Sequence, residues 1–536
     1  MGWGMEQVLG HVTAASSSRV TACLDAGMAR DGFGRIGDMV KVRCSEHEAV
    51  GTVSAVQVEA GSPARDVFVI ELFGELMPSA DGTSQFSRGV SRYPVSGAPV
   101  LAASDLDLSA IYAPASGTNI RIGTLYQDTT RPAFLLMDQL LTRHFAVLGS
   151  TGSGKSCTAT LVLSAIIAEH PNAHIVLLDP HNEYATAFGE LAEVINVDNL
   201  QMPFWFFDFE EAVRILVRGG TTQEQEAQAI ILKDAITRAR RHYAGDGAAS
   251  ASITVDTPVP FRITDLLRFI DGAMGKLDKA DTSVPYLRLK TRLESLRDDR
   301  RFSFMFSEIV TRDTLAQFVG RLLRFPANGK PVSVLDLSGL PSEIADVVVS
   351  LACRVMFDFV LWSEVGQVPP LLLVCEEAHR YVPADERIGF AAAARAITRI
   401  AKEGRKYGIS LGLISQRPSE LSATALSQCG TIFALRMGNE LDQRFVATAL
   451  PDAAQGMLAV LPTLRNQEAI IAGEGVSLPM RVRFEDLPPG HRPRSDGAEF
   501  SKVWRAGGRR AGSDDSGLVE EGVRRWRQHT RARITL

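Results

Sequence analysis

One octapeptide constrains this chain more than any other feature. Gly149-Ser150-Thr151-Gly152-Ser153-Gly154-Lys155-Ser156 follows the apolar run HFAVLG and precedes the helical pattern CTATLVLSAIIAEH. Strand, glycine loop and helix in that order match a GxxxxGK[ST] phosphate loop. The glycines let the backbone turn tightly, so that successive N–H groups face an anion. The helix adds its positive N-terminal end. Lys155 is expected on the β- and γ-phosphates and Ser156 on Mg²⁺, with Cys157 opening the helix beside them.

The surrounding pattern is that of an α/β protein. HIVLLDP, PVSVLDL, LLLVCEE, ISLGLISQ, TIFALRM and QEAIIAG are short apolar runs, each beside a helical stretch. Such runs predict a buried, mainly parallel sheet. Residues 141–207 and 329–484 are read as this core, and residues 208–328, which carry several segments of helical spacing and the Gly/Ala/Ser-rich loop YAGDGAASASITVDTP, as a helical-bundle insertion. Residues 1–100 alternate over RVTACL, GDMVKVRC, AVGTVSAVQVE, VFVIELFGEL and APVLAA, the signature of a small barrel or sandwich. Residues 101–140 read as a connector and 485–536 as a turn-rich C-terminal extension ending in a short basic helix.

Further chemistry sits at the ends of the core strands. Leu371 to Cys375 delivers Glu376 and Glu377, an acidic pair placed to face the metal and to polarise an attacking water, respectively. Gln416, at the tip of ISLGLISQ, is a candidate γ-phosphate sensor. Asp179, in the DPHNEY loop after the second core strand, is a candidate for a metal-bound water. The basic stretch RAITRIAKEGRK supplies Arg405, with Arg399 as second choice, as a finger that enters a neighbouring subunit's site. Arg214, Arg218, Arg238, Arg240 and Arg241 are candidate DNA contacts on helix faces.

Composition removes several alternatives. Lys and Arg total 57 against 62 Asp and Glu, a net charge of −5, so the chain is not a polycation that coats nucleic acid by bulk charge. The six cysteines are scattered without a CxxC pair, which argues against zinc or iron–sulfur sites and for a reducing, cytoplasmic setting. No basic-then-apolar leader and no long uninterrupted apolar run are present, so neither a signal peptide nor a membrane span is expected.

Taken in order, HFAVLGSTGSGKS, LLDPHNEY, LLLVCEEAHRYVP, EGRKYGISLGLISQRPSEL and AIIAGEGVSLPMRVRF resemble the HerA-type ATPases of the HerA/FtsK superfamily, over about residues 1–484. The resemblance implies a RecA-like P-loop core, an N-terminal HAS barrel, and ATP with Mg²⁺ as cofactors. It implies a homo-hexamer that hydrolyses ATP between subunits and translocates double-stranded DNA. Lys155 and Ser156 become the Walker A residues, Glu376 and Glu377 the Walker B pair, Gln416 the sensor and Arg405 the finger. A partner on the barrel face is also implied: a NurA-like nuclease, or a sirtuin-type NADase or other nuclease in antiphage defence. The family's usual glycine before EAIIAG is replaced here by Asn466-Gln467. A different reading keeps the ring as a nucleotide-stabilised scaffold that assembles and regulates an effector enzyme, with ATP a structural ligand.

Overall fold

The computed structural model describes residues 8–16, 18–24, 35–44, 47–59, 65–78, 84–113, 117–275, 283–306, 312–364, 366–385, 391–451, 454, 456–494, 501, 504 and 515–527. The turn-rich stretches expected at 495–500 and 505–514 lie outside the described residues.

Eighteen strands are described: β1 (Val8–Ala15), β2 (Arg19–Leu24), β3 (Met39–Arg43), β4 (Glu48–Glu59), β5 (Arg65–Pro78), β6 (Ser84–Arg88), β7 (Pro99–Ala102), β8 (Asn119–Leu125), β9 (Pro132–Leu136), β10 (Phe145–Leu148), β11 (His174–Asp179), β12 (Ala192–Ile195), β13 (Val332–Asp336), β14 (Leu371–Cys375), β15 (Ile409–Ser415), β16 (Thr431–Ala434), β17 (Glu468–Gly473) and β18 (Met480–Phe484). The chain forms two compact units, residues 1–173 with 360–487 and residues 174–359 with 488–536.

The first unit opens with an antiparallel barrel. Its strands run β2-β1-β7-β3-β4-β5, and β2 pairs again with β5 to close the ring; β6 is an outer strand on β5. Period-2 alternation turns Val20, Ala22, Val40, Val42, Phe68, Ile70 and Val100 inward to a common core. Irregular register in β1 and β4 supplies the local bends that closure requires. Gly10 is needed where β1 crosses β2, because a Cβ there would lie 2.1 Å from the Cys23 carbonyl oxygen. A buried ion cluster ties β3 and β4 to the helix Asp105–Ile111: Lys41 Nζ lies 2.6 Å from Glu48 Oε2 and 2.9 Å from Asp107 Oδ2. Ser104 and Asp107 cap that helix reciprocally, which fixes where Asp107 stands. The barrel is fastened to the rest of the unit by Glu71, which accepts the Gly456 amide at 3.2 Å, and by Arg88, which donates to the Gly473 carbonyl at 3.1 Å.

The sheet of the first unit runs β14-β15-β10-β16 with all neighbours parallel, then β17, β18, β8 and β9 with all neighbours antiparallel. The parallel strands are buried along their whole length, which is why they read as continuous apolar runs. Residues 119–136, expected as part of a connector, instead form a hairpin on the far edge of this sheet. The alternation that buries Ile120, Ile122 and Leu125 is visible in NIRIGTL, but the strand that accepts it, β18, lies more than three hundred residues later. The core is therefore a mixed sheet with a parallel half.

In the second unit β12, β13 and β11 pair in that order, all parallel. Residues 208–328 carry helices and no strand among the described residues. Capping boxes, Asp208 with Glu211 and Thr221 with Glu224, start two of the helices. Arg240, expected as a DNA contact, is buried: its guanidinium donates to the carbonyls of Val255, Trp205 (3.1 Å) and Phe207 (2.8 Å), and burial pushes its pKa down to about 10. It satisfies carbonyl groups where two chain segments meet, so it is unavailable to phosphate. Arg241 donates to Ile253 at 3.2 Å and Arg214 reaches Asp346 at 3.5 Å, so both have local partners. Arg238 is exposed beside Asp234. No helix among the described residues is long and apolar enough to cross a membrane.

The Lys41 cluster has a measurable consequence. Lys41→Met leaves two buried carboxylates without their shared cation, and a loss of about 3–5 kcal/mol is expected. Denaturant titration of the full chain should show the first unfolding transition at lower denaturant in this variant.

Candidate functional site

β10 lies between β15 and β16, so the loop that follows it is flanked by two other strand ends. Both flanks hold it. Gly149 N donates to the Ser415 carbonyl at 3.3 Å, and both the N–H and the hydroxyl of Ser150 donate to the Arg436 carbonyl at 2.9 Å. Gly149 has no room for a side chain, since a Cβ would meet Ser153 Oγ at 2.7 Å and Leu435 Cβ at 2.8 Å. Gly152 and Gly154 adopt φ of +73° and +100°, conformations that turn main-chain N–H groups into the concavity.

Gly154 is the N-cap of the helix Lys155–Glu169 and makes no side-chain cap, which leaves the helix start to an anion. That helix is seated by Ala159, Val162, Leu163 and Ile166, a buried stripe at helical spacing. Lys155 is buried and donates Nζ to the Ser150 carbonyl at 3.1 Å, across the mouth of its own loop. Ser156 and Cys157 are half-buried on the first turn. Main-chain cradle, uncapped helix and buried ammonium together fit the phosphates of a nucleotide.

Glu376 and Glu377 follow β14 and are both buried. Glu377 has φ 51° and ψ 46°, a left-handed backbone on a non-glycine residue. Such a conformation costs about 1–2 kcal/mol and persists where surrounding structure imposes it. Its Oε2 lies 3.3 Å from His379 Nδ1, and His379 Nδ1 lies 3.2 Å from Ser415 Oγ. Burial pushes the His379 pKa down to about 4; Glu420 opposes this, and Arg417, Arg380 and Lys155 add to it. The Lys155 charge is thus felt at the histidine beside the acids.

Gln416 Oε1 accepts from the Thr151 hydroxyl at 2.6 Å, so the expected sensor touches the phosphate loop itself. Arg405 lies elsewhere. It is exposed in the short turn Gly404–Tyr407 before β15, whereas Gln416 follows the last residue of β15. Seven strand residues separate the two, roughly 23 Å of extended backbone. Arg399, also exposed, is 3.9 Å from Glu403. Asp179 belongs to the second unit, buried at the end of β11. Both its oxygens accept main-chain amides, from His181 at 3.2 Å and Tyr184 at 3.0 Å, and burial pushes its pKa up to about 6. In this arrangement its carboxylate holds the DPHNEY loop.

Two residues here escaped the motif reading. His379 stands two positions after the acidic pair, and that proximity was its only signal. Ser415 reads as the last apolar-strand residue, and only the fold shows it between the phosphate loop and His379. Gln467, where a glycine was expected, has φ +67°. Its side chain donates to Asp486 at 2.6 Å, and β17 and β18 form normally after it. The position requires the left-handed conformation that glycine adopts freely, and here a glutamine adopts it.

Residues 120–356 match a family model described as the central domain of helicase HerA. The DNA double-strand break repair helicase HerA of Pyrococcus furiosus is 27% identical over 432 residues, covering 74% of each chain. A probable DNA double-strand break repair helicase HerA of Methanocaldococcus jannaschii is 27% identical over 413 residues, covering 70% of this chain and 78% of that one. Among solved structures, VirB4 of Thermoanaerobacter pseudethanolicus shares the fold, with a TM-score of 0.50, 17% identity, and coverage of 70% of this chain and all of that one.

His379 makes stability depend on pH. The unfolded chain takes up the proton near the ordinary value of 6.5 and the native site only near 4, so stability is lost as pH falls from 6.5 towards 4. Equilibrium denaturation at stepped pH should show a shallower slope over that window for His379→Asn than for the native chain.

Proposed function

We propose that this chain, which belongs to the HerA-type ATPases of the HerA/FtsK superfamily, is a hexameric motor that hydrolyses ATP between subunits to move double-stranded DNA. The observation that carries this reading is the separation of Arg405 from Gln416 along β15. An arginine at the opposite end of the strand from its own phosphate loop serves a neighbour's loop instead. Hydrolysis then needs two copies, and closing that relation around an axis yields a ring.

Within one copy the roles follow from position. The main-chain N–H groups of the loop, the start of the helix Lys155–Glu169 and Lys155 bind the phosphates. Ser156 and Glu376 would hold Mg²⁺, which when bound neutralises charge on the β- and γ-phosphates. Glu377 polarises the attacking water. Gln416, now on Thr151, exchanges that hydroxyl for the γ-phosphate and so reports its presence to β15. Arg405 from the next copy stabilises charge in the transition state. Asp179 acts through the loop it holds. The names of the relatives, DNA double-strand break repair helicases, support duplex DNA as the track.

The closed barrel, residues 8–102, offers a face for a separate effector subunit, a nuclease or an NADase, in DNA end processing or antiphage defence.

Three variants test this. Lys155→Ala should lose nucleotide binding. Arg405→Ala should keep binding and lose turnover by about 10³-fold or more. Mixing Arg405→Ala with Glu377→Gln, each inactive alone, should restore turnover at seams that pair an intact Glu377 with an intact Arg405. Duplex DNA should stimulate the native ATPase; a rate indifferent to DNA would favour the scaffold reading.

A further inference from the structure

We propose that His144 is the positioning residue of the trans arginine: bonded through Nδ1 to the Leu411 amide and through Nε2 to the Ala401 carbonyl, it fixes the turn that carries Arg405 to the strand that carries the phosphate loop. This rests on the reading of Arg405 above.

His144 is buried immediately before β10. Its φ of 55° is left-handed, so the backbone turns out of the sheet there. The β10–β15 ladder accordingly begins one residue later, with Phe145 against Gly412. The amide of Leu411, one position before Gly412, still needs an acceptor, and a buried amide is costly without one. The imidazole supplies it: Leu411 N–H donates to Nδ1 at 3.0 Å. On the other flank the Arg143 carbonyl accepts the Gly430 amide at 2.6 Å, so the start of β10 is held from both sides.

A main-chain amide only donates, so Nδ1 carries no proton and Nε2 must carry it. Nε2 donates to the Ala401 carbonyl at 3.1 Å. The two main-chain partners thus assign the tautomer, and a second proton would cost the Leu411 bond. Burial holds the His144 pKa below its ordinary value; the Ala401 bond opposes this, and the Arg405 charge adds to it. The ring is therefore in the neutral form that both bonds need, and the Arg405 guanidinium is near enough for its charge to be felt.

Ala401 lies in the last turn of the helix Ala391–Glu403, where carbonyls run out of intrahelical partners. The turn Gly404–Tyr407 follows directly and presents Arg405 to solvent. Gly404 is buried, and a Cβ there would lie 2.9 Å from the Ile409 carbonyl oxygen, so the turn is pressed onto the start of β15. His144 holds the helix end on one side of this turn and β15 on the other. The short strand β10 then serves two sites: its own copy's through Gly149, and the neighbour's through the anchored Arg405.

Two substitutions separate the two bonds. An asparagine oxygen overlays Nδ1 and tolerates the left-handed backbone, so His144→Asn keeps the Leu411 bond and loses the Ala401 bond. A glutamine amide nitrogen overlays Nε2, so His144→Gln does the reverse. In the assembled protein with ATP, His144→Asn should lower kcat by about 10²-fold with nucleotide affinity unchanged, as misplacement of a reacting group does. His144→Gln should stay within about tenfold of the native rate. Stability should rank the other way, because Gln leaves the buried Leu411 amide unsatisfied. Activity that ranks with stability instead would mark a merely structural histidine and overturn the proposal.

Mixing copies locates the defect. His144→Asn mixed with Glu377→Gln should regain turnover, at seams that pair an intact Glu377 with a well-placed Arg405. Mixed with Arg405→Ala it should regain none. The reverse pattern, or affinity falling in step with kcat, puts the fault in the variant's own phosphate loop and overturns the proposal. Should one variant not fold, the other decides: a native rate in His144→Asn, or a 10²-fold loss in His144→Gln, overturns it. Native turnover in Arg405→Ala would sink the trans reading itself, whereas an inactive Arg405→Ala beside a native rate in His144→Asn sinks only the role given to His144.

Discussion

A phosphate cradle made of main-chain amides has no side chains to hold its shape, so neighbouring backbone must do it. Here the Ser415 and Arg436 carbonyls, at the ends of β15 and β16, receive the amides of Gly149 and Ser150. Everything else at the site is referenced to those bonds. They require β10 to lie between the two strands in parallel register, with all three strand ends level. Parallel pairing of that kind brings residues separated by more than two hundred positions to one edge of one sheet. It also commits the strands to full burial, because helices must cover both faces.

Along that edge the protein accepts unfavourable terms. Glu377 has a left-handed backbone, and two carboxylates and an ammonium are buried close to the loop. Buried charge is costly unless it is partnered, and strain persists only where the surroundings impose it. The barrel shows the same physics without the chemistry. Lys41, Glu48 and Asp107 are equally buried, but they lock a helix to two strands and face no phosphate loop. What separates the two clusters is geometry. One is closed upon itself, and the other opens at strand ends beside a helix N-terminus. Burial of charge alone would not tell a site from a brace.

Legibility in the sequence followed the range of the interactions. The phosphate loop, its helix and the paired acids after LLLVC were readable because each depends on neighbours a few residues away. The barrel was readable as β-rich, since alternation is local, but its closure through the β2–β5 pairing was not. The hairpin at 119–136 passed for a connector because its partner strand comes at Met480–Phe484. Arg240 looked like a solvated helix arginine, and only the surrounding carbonyls of Trp205, Phe207 and Val255 revealed a buried one. Gln467 broke an expected glycine, and the fold shows that the backbone kept the glycine's conformation.

By itself the sequence determined the residue types that phosphate chemistry needs and the local conformations that present them. Glycine freedom, helix periodicity and apolar strand runs are properties of short segments, and they survive without knowledge of the rest. Only the tertiary structure decided which strand ends are neighbours. It placed Ser415 against His379 and Gln416 against Thr151, and it put Arg405 at the far end of the strand from its own loop. Those relations depend on strand order in a sheet, and strand order is fixed by long-range packing that no local pattern encodes.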